Sequence, residues 1–241
     1  MNNQNSNANN LLHPQTILQV KDLSHNFDYP LFKNINFDLM QGQTIAIIGT
    51  SGSGKSTLLN IIGLLDSPSA GEYRLLDKSV LNLKEKVKVE YHRNFIGFIF
   101  QAYHLIEEMT VYENIETPLI YKGVKARERQ SMVADMLDRF NIVAKKELFP
   151  QQLSGGQQQL VGIARAIISK PRLLLADEPT GNLQSAQGEM IMETIKTLNE
   201  EGMTIIQVTH NEKFAGYGKR IIRLEDGMVR EDEKTYRVAV K

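Results

Sequence analysis

Two short segments hold residues that can act together. The run Gly49–Thr57 reads GTSGSGKST and satisfies the pattern G-x-x-x-x-G-K-[ST]. Glycines there let the backbone wrap until successive N–H groups point inward at phosphate oxygens, and a helix opening at the end of the loop adds its positive terminus. Lys55 would reach the β- and γ-phosphates as a compact charge, and the Ser56 hydroxyl would ligate a Mg²⁺ bridging the same two phosphates. Gly49, Thr50, Ser51, Gly52, Ser53, Gly54, Lys55, Ser56 and Thr57 are therefore the candidate phosphate-binding residues. The second segment, LLLADE, puts Asp177 at the end of an apolar run, where it can hold Mg²⁺ through water. Glu178 beside it is placed to orient or deprotonate an attacking water. An apolar strand ending in an acid is common in itself. Joined to the glycine loop, it points to hydrolysis of a nucleoside triphosphate.

Both segments need rigid elements to position them. TIAIIG (Thr44–Gly49) is a continuous β-branched run, as expected for a strand buried on both faces, and KSTLLNIIGLL after the loop has helical spacing. Before it, Ile17 to Val20 and Leu31 to Leu39 read as antiparallel edge strands separated by the turn-like HNFDYP. EYRLL after Gly71 is a further strand, Leu83–Arg93 a charged helix, and Ile96–Phe100 an apolar strand. From about Tyr112 to Ser169 the period is 3.6 with little strand signal, as in a helical subdomain. Strands return at Arg172–Asp177 and Thr204–Thr209, separated by a helix over Gln187–Asn199, the alternation that builds a parallel sheet. RIIRLEDGMVRED reads as a hairpin turning at Asp226-Gly227.

Composition narrows the classes. Lys+Arg and Asp+Glu both number 28, so no net charge draws the chain to nucleic acid. With no cysteine, disulfides, thiol nucleophiles and Cys-based metal sites are excluded. The longest apolar runs, such as Ile61–Leu65, fall far short of the roughly 18–20 residues of a membrane span, so work at a membrane would require docking. Residues 1–14, opening MNNQNSNANN, read as a disordered Asn-rich tail without a secretory signal, and 15–241 as one ATPase domain with its helical subdomain at about 102–169.

LSGGQ at Leu153–Gln157 resembles the signature motif of ABC (ATP-binding cassette) ATPases, and the chain from about Ile17 onward is similar to that family in pattern. The resemblance implies an α/β fold: a P-loop NTPase of ABC type with a RecA-like parallel-sheet core, an antiparallel β-subdomain and an α-helical subdomain. It implies ATP and Mg²⁺ as ligands. Ser154, Gly155, Gly156 and Gln157, at a helix start, would bind the γ-phosphate of an ATP held by a second subunit, and hence a dimer. Gln101 resembles the glutamine that contacts Mg²⁺ and water, His210 the switch histidine that contacts the γ-phosphate, and Phe27 the aromatic residue that stacks on adenine. Two positions depart from the pattern: Gln184 stands where an acidic residue usually follows PTGNL, and Leu160 where the signature helix usually carries Arg.

The stretch IGFIFQAYHLIEEMTVYENIETPLIYKG, with PTGNL, is similar to the subgroup of lipoprotein-release (LolD-like), MacB-type efflux and bacitracin-resistance ATPases. That resemblance implies an ATPase dimer driving a separate membrane permease by mechanotransmission, peripheral at the cytoplasmic face of the inner membrane, with lipoprotein, peptide or lipid cargo. It places Tyr103, His104 and Leu105 near the rim of a permease-docking groove. The charged runs KEKVKVE and KARER read as solvated helix faces. The competing reading, a soluble ABC ATPase acting on ribosomes or DNA, usually carries two cassettes or a long coiled-coil insertion, and an ATP clamp would lack Glu178.

Overall fold

The structure is a computed structural model that describes residues 15–234; the stretch read as a disordered tail, 1–14, and residues 235–241 lie outside the described residues. The chain opens with two long antiparallel strands, β1 (Thr16–Asn26) and β2 (Pro30–Met40). Alternation in β1 breaks at Lys21 and Asp22, where the register with β2 shifts between Val20 and Leu23. Asp22 takes a left-handed φ of 49°, and its N–H donates to Asn36 Oδ1 at 2.9 Å. Past this bulge the strand resumes, so it runs beyond the expected end at Val20. The turn shrinks to Phe27–Tyr29, closed by the Phe27 N–H on the Tyr29 carbonyl at 3.1 Å. Strand β4 (Ala70–Leu75) pairs with the other side of β1, and the short β5 (Lys78–Ser79) completes a four-stranded antiparallel sheet.

The second sheet contains β3 (Thr44–Ile48), β6 (Ile96–Ile99), β7 (Leu173–Asp177), β8 (Ile205–Thr209), β9 (Arg220–Glu225) and β10 (Met228–Lys234), in the order β10-β9-β3-β8-β7-β6. All its pairs are parallel except the hairpin β9–β10. Every residue of β3 and β8 is buried, as a parallel sheet covered on both faces requires. The hairpin turns at Asp226 and Gly227, both with positive φ, the geometry of a tight type I′ turn. Gly227 is needed for a second reason: a Cβ there would lie 2.4 Å from the Leu31 carbonyl oxygen.

Helix α1 (Lys55–Ile62) follows β3, and α2 (Glu85–Asn94) precedes β6. The connection from β6 to β7 holds α3 (Val111–Tyr121), α4 (Ala126–Arg139) and α5 (Gly155–Ile167), with no strand among its described residues. Helices α6 (Ser185–Glu200) and α7 (Glu212–Ala215) flank β8. One core packs α1 and the antiparallel sheet on one face of the parallel sheet, through Leu18, Phe32, Ile47, Leu58, Tyr73 and Val208. A second lies under α3, α5 and α6 on the other face, through Ile115, Ile163, Leu174, Ile191 and Ile205. The carboxyl ends of β3, β6, β7 and β8 deliver, in turn, the glycine loop, Gln101, Glu178 and His210. Ligands of open parallel sheets bind outside these strand ends.

Candidate functional site

The loop from Gly49 to Gly54 is pinned at its two end glycines, whose neighbours leave little or no room for a side chain. A Cβ on Gly49 would lie 2.2 Å from the Leu224 carbonyl oxygen in β9, and one on Gly54, at φ 91°, would lie 3.0 Å from Phe32 and 3.1 Å from Leu31. Lys55 is buried, and its Nζ donates to the carbonyls of Gly49 at 3.0 Å and Thr50 at 2.7 Å. Burial holds its pKa below the usual lysine range, opposed by the carboxylates of Glu178 and Asp177. The loop thus presents a cation to a cleft of about 380 Å³, whose walls beyond the loop and its helix are Phe27, Tyr29, Leu31, Glu178 and His210. Ser51, Gly52, Ser56 and Thr57 line the same cleft.

At the floor, the Ser56 hydroxyl donates to Asp177 Oδ1 at 3.0 Å. Burial raises the pKa of Asp177; the Ser56 hydrogen bond lowers it, Glu178 raises it and Lys55 lowers it. Glu178 sits in the left-handed region at φ 44°, a conformation costing about 1–2 kcal/mol for a residue with a side chain. Its N–H donates to the Val208 carbonyl at 3.0 Å, and its Oε1 meets His210 Nδ1 at 2.7 Å. The strained backbone turns the carboxylate from the strand end into the cleft beside the histidine.

The donor set fits Mg²⁺. A hydroxyl and a carboxylate oxygen already within hydrogen-bond distance are hard ligands, and Mg²⁺ is ordinarily held by one or two such groups together with substrate phosphates and waters. No cluster of three or more His, Cys, Asp or Glu suited to a metal occurs among the described residues.

Gln101 follows β6, and its Nε2 donates to Asn182 Oδ1 at 3.2 Å while Asn182 Nδ2 donates to the Gln101 carbonyl at 3.0 Å. This reciprocal pair ties Gln101 to the turn after Glu178. Asn182 was not among the expected site residues; its signal was its place in PTGN, directly after the acids. Tyr29 was also missed: it lines the cleft with Phe27 and is 67% exposed, Phe27 59%. His25, buried behind Phe27, meets its ring edge-on at 4.8 Å.

Ser154, Gly155, Gly156 and Gln157 do not line this cleft. Ser154 caps α5, accepting from the Gln157 N–H at 3.4 Å, while Gln157 Oε1 accepts from the Ser154 N–H at 3.0 Å. Gly155 lies under the Tyr103 hydroxyl, where a Cβ would approach to 2.7 Å. Leu160 packs against the second core. Gln184 stands at the N-cap of α6 without a side-chain capping bond.

The family model described as ABC transporter matches residues 32–181. The macrolide export ATP-binding/permease protein MacB of Shigella dysenteriae serotype 1 is 39% identical over 218 residues, covering 88% of this chain and 34% of that protein. MacB of Campylobacter jejuni is 44% identical over 204 residues, covering 85% of this chain and 32% of that protein. This chain therefore spans about a third of the length of those relatives. Among solved structures, the dimeric structure of MJ0796, a bacterial ABC transporter cassette, superposes with a TM-score of 0.83 at 40% identity, covering 90% of this chain and 98% of that one. A second structure of MJ0796 is a post-hydrolysis dimer bound to ADP and phosphate, at 39% identity and the same TM-score.

The chain belongs to the ABC transporter family. Within it, the cassette is of the ATP-binding, ATP-hydrolysing kind, and it is similar to macrolide export ATP-binding/permease proteins MacB over about a third of their length.

Proposed function

We propose that two copies of this cassette close on ATP and Mg²⁺ and, by hydrolysing the ATP, drive a membrane permease of the MacB or lipoprotein-release kind. The carrying observation is the Glu178–His210 contact at 2.7 Å, set in one cleft with Lys55 and beside the Ser56–Asp177 pair. Glu178 accepts a proton from water as the water oxygen bonds to the γ-phosphorus and the bond from that phosphorus to the bridging β-phosphate oxygen breaks, releasing ADP and phosphate; His210 holds the carboxylate in place; Lys55 and the loop N–H groups offset charge on the β- and γ-phosphates. Ser56 and Asp177, with Gln101, would hold Mg²⁺, which when bound neutralises phosphate charge. Phe27 stacks on the adenine, with Tyr29 beside it.

Because Ser154, Gly155, Gly156 and Gln157 lie outside the cleft, the reading assigns them to the ATP of the partner cassette. The helix start that they form is a suitable anion site there. The permease would dock in an apolar groove of about 400 Å³ walled by Phe98, Phe100, Pro118 and Tyr121. Of the expected rim residues, His104 stacks on Phe100 at 4.6 Å, whereas Tyr103 faces α5 and Leu105 packs into the second core. No helix among the described residues is long and apolar enough to cross a membrane; in this reading attachment is peripheral, through the permease, at the cytoplasmic face of the inner membrane. Lipoprotein, peptide or lipid is the cargo class.

The test is ATP turnover by the purified protein and by Glu178→Gln, with size-exclusion chromatography in ATP and Mg²⁺. Glu178→Gln should lose on the order of 10²–10⁴-fold in kcat, the usual worth of a general base, and elute as an ATP-loaded dimer. A variant that turns over at the wild-type rate removes Glu178 from the mechanism.

A further inference from the structure

Gln159 lies about one turn into α5, fully buried, and none of the roles above uses it. Its Nε2 donates to the Pro179 carbonyl at 2.7 Å and, more weakly, to the Phe100 carbonyl at 3.4 Å. Pro179 directly follows Glu178, and Phe100 directly precedes Gln101. One side-chain amide therefore grips the backbone next to the general base and next to the glutamine that the reading above places with Mg²⁺. Its orientation is set by these contacts, because a flipped amide would turn its oxygen toward two carbonyl oxygens.

The other half of the amide argues against a purely structural role. Gln159 Oε1 is buried with no hydrogen-bond partner among the described residues. A buried acceptor without a partner destabilises a fold, and a leucine or methionine of similar length would avoid that cost. Polar groups kept in a core at the expense of stability are expected where function needs them.

We infer that Gln159 is a positioning residue through which the helix carrying the signature motif sets the backbone of Glu178 and Gln101. Movement of α5, whose first turn is assigned to the partner's ATP, is passed by this amide to the segment holding the general base. The inference rests on the ATPase reading and deepens it.

The test compares wild type, Gln159→Leu and Gln159→Met in steady-state ATP hydrolysis and thermal unfolding. Both variants keep the volume and remove the donor, so one serves if the other does not fold. The expected result is a kcat lowered on the order of tenfold, the effect of displacing a reacting group without removing it, with KM for ATP within about twofold and a melting temperature equal to or above wild type. A merely structural role predicts the reverse, a lower melting temperature with kcat unchanged, and that result overturns the inference. An active wild type with unimpaired variants overturns this inference alone; a wild type inert with ATP and Mg²⁺ overturns it together with the reading beneath it.

Discussion

Replacing Asp177 with asparagine should make the protein more stable at neutral pH while removing its activity. The carboxylate is half-buried at the end of β7, and burial raises its pKa; Ser56 and Lys55 oppose the rise and Glu178 reinforces it. A carboxyl whose pKa is raised by folding binds its proton more tightly in the folded chain. Its stabilising contribution is therefore present in acid and is lost as pH rises through the folded pKa, so that at neutral pH the ionised group weakens the fold. Asparagine keeps an oxygen to accept the Ser56 hydroxyl at the 3.0 Å contact, so that bond survives. Loss of repulsion from Glu178 and loss of attraction to Lys55 offset one another, leaving relief from desolvating a charge. Single stabilising exchanges commonly contribute roughly 0.5–2 kcal/mol, with lost function as the recurrent cost. For a chain of this size each kcal/mol moves the melting temperature by about 2–4 °C. Thermal unfolding at pH 7.5 should show that rise, and repetition toward pH 4 should show the two proteins converging as the wild-type carboxyl takes up its proton. Hydrolysis should fall by at least about a hundredfold. An asparagine variant that melts at or below wild type at pH 7.5 refutes the reasoning.

Two further outcomes follow from the packing. Gly63→Ala would place a Cβ 2.0 Å from Phe98 Cζ and 3.0 Å from Leu175 Cδ1, so it should destabilise by about 1–3 kcal/mol, read as a lower melting temperature. Phe27→Ala should raise KM for ATP, since stacking on a base contributes about 1–3 kcal/mol, with kcat unchanged; Tyr29→Ala should raise it less, because Tyr29 is the more exposed ring and His25 backs Phe27 edge-on. Steady-state kinetics on both variants separates the two rings.

The chemistry was legible where it depends on neighbours in sequence. The glycine loop, the Asp177-Glu178 pair and the buried strand feeding the loop each follow from residues a few positions apart, and the structure places Lys55, Ser56, Glu178 and His210 around one cleft. What local pattern could not give are bonds between segments far apart in the chain. Gln101 and Asn182 are separated by 81 residues, and neither flanking sequence names the other. The long β1 was hidden for a different reason: its bulge at Asp22 adds a residue, so the alternation that marks a strand changes face and resembles an end. Tyr29 escaped because a turn aromatic shows its use only when the loop opposite it is in place.

The contact of Tyr103 with Gly155 has a consequence for how such proteins diversify. Tyr103 stands just after Gln101, and Gly155 opens α5, the helix that crosses back to β7; α3 and α4 are inserted between them. The insertion therefore leaves and rejoins the molecule at a single stem whose two sides already touch. Closing a loop between ends that meet requires little entropy, so different helices can be grafted on that stem without disturbing the strands that hold the nucleotide. The groove assigned to the permease is walled partly by α3, on the graft, and partly by β6, on the stock. Choice of partner and hydrolysis of ATP can thus be inherited as separable pieces of one chain.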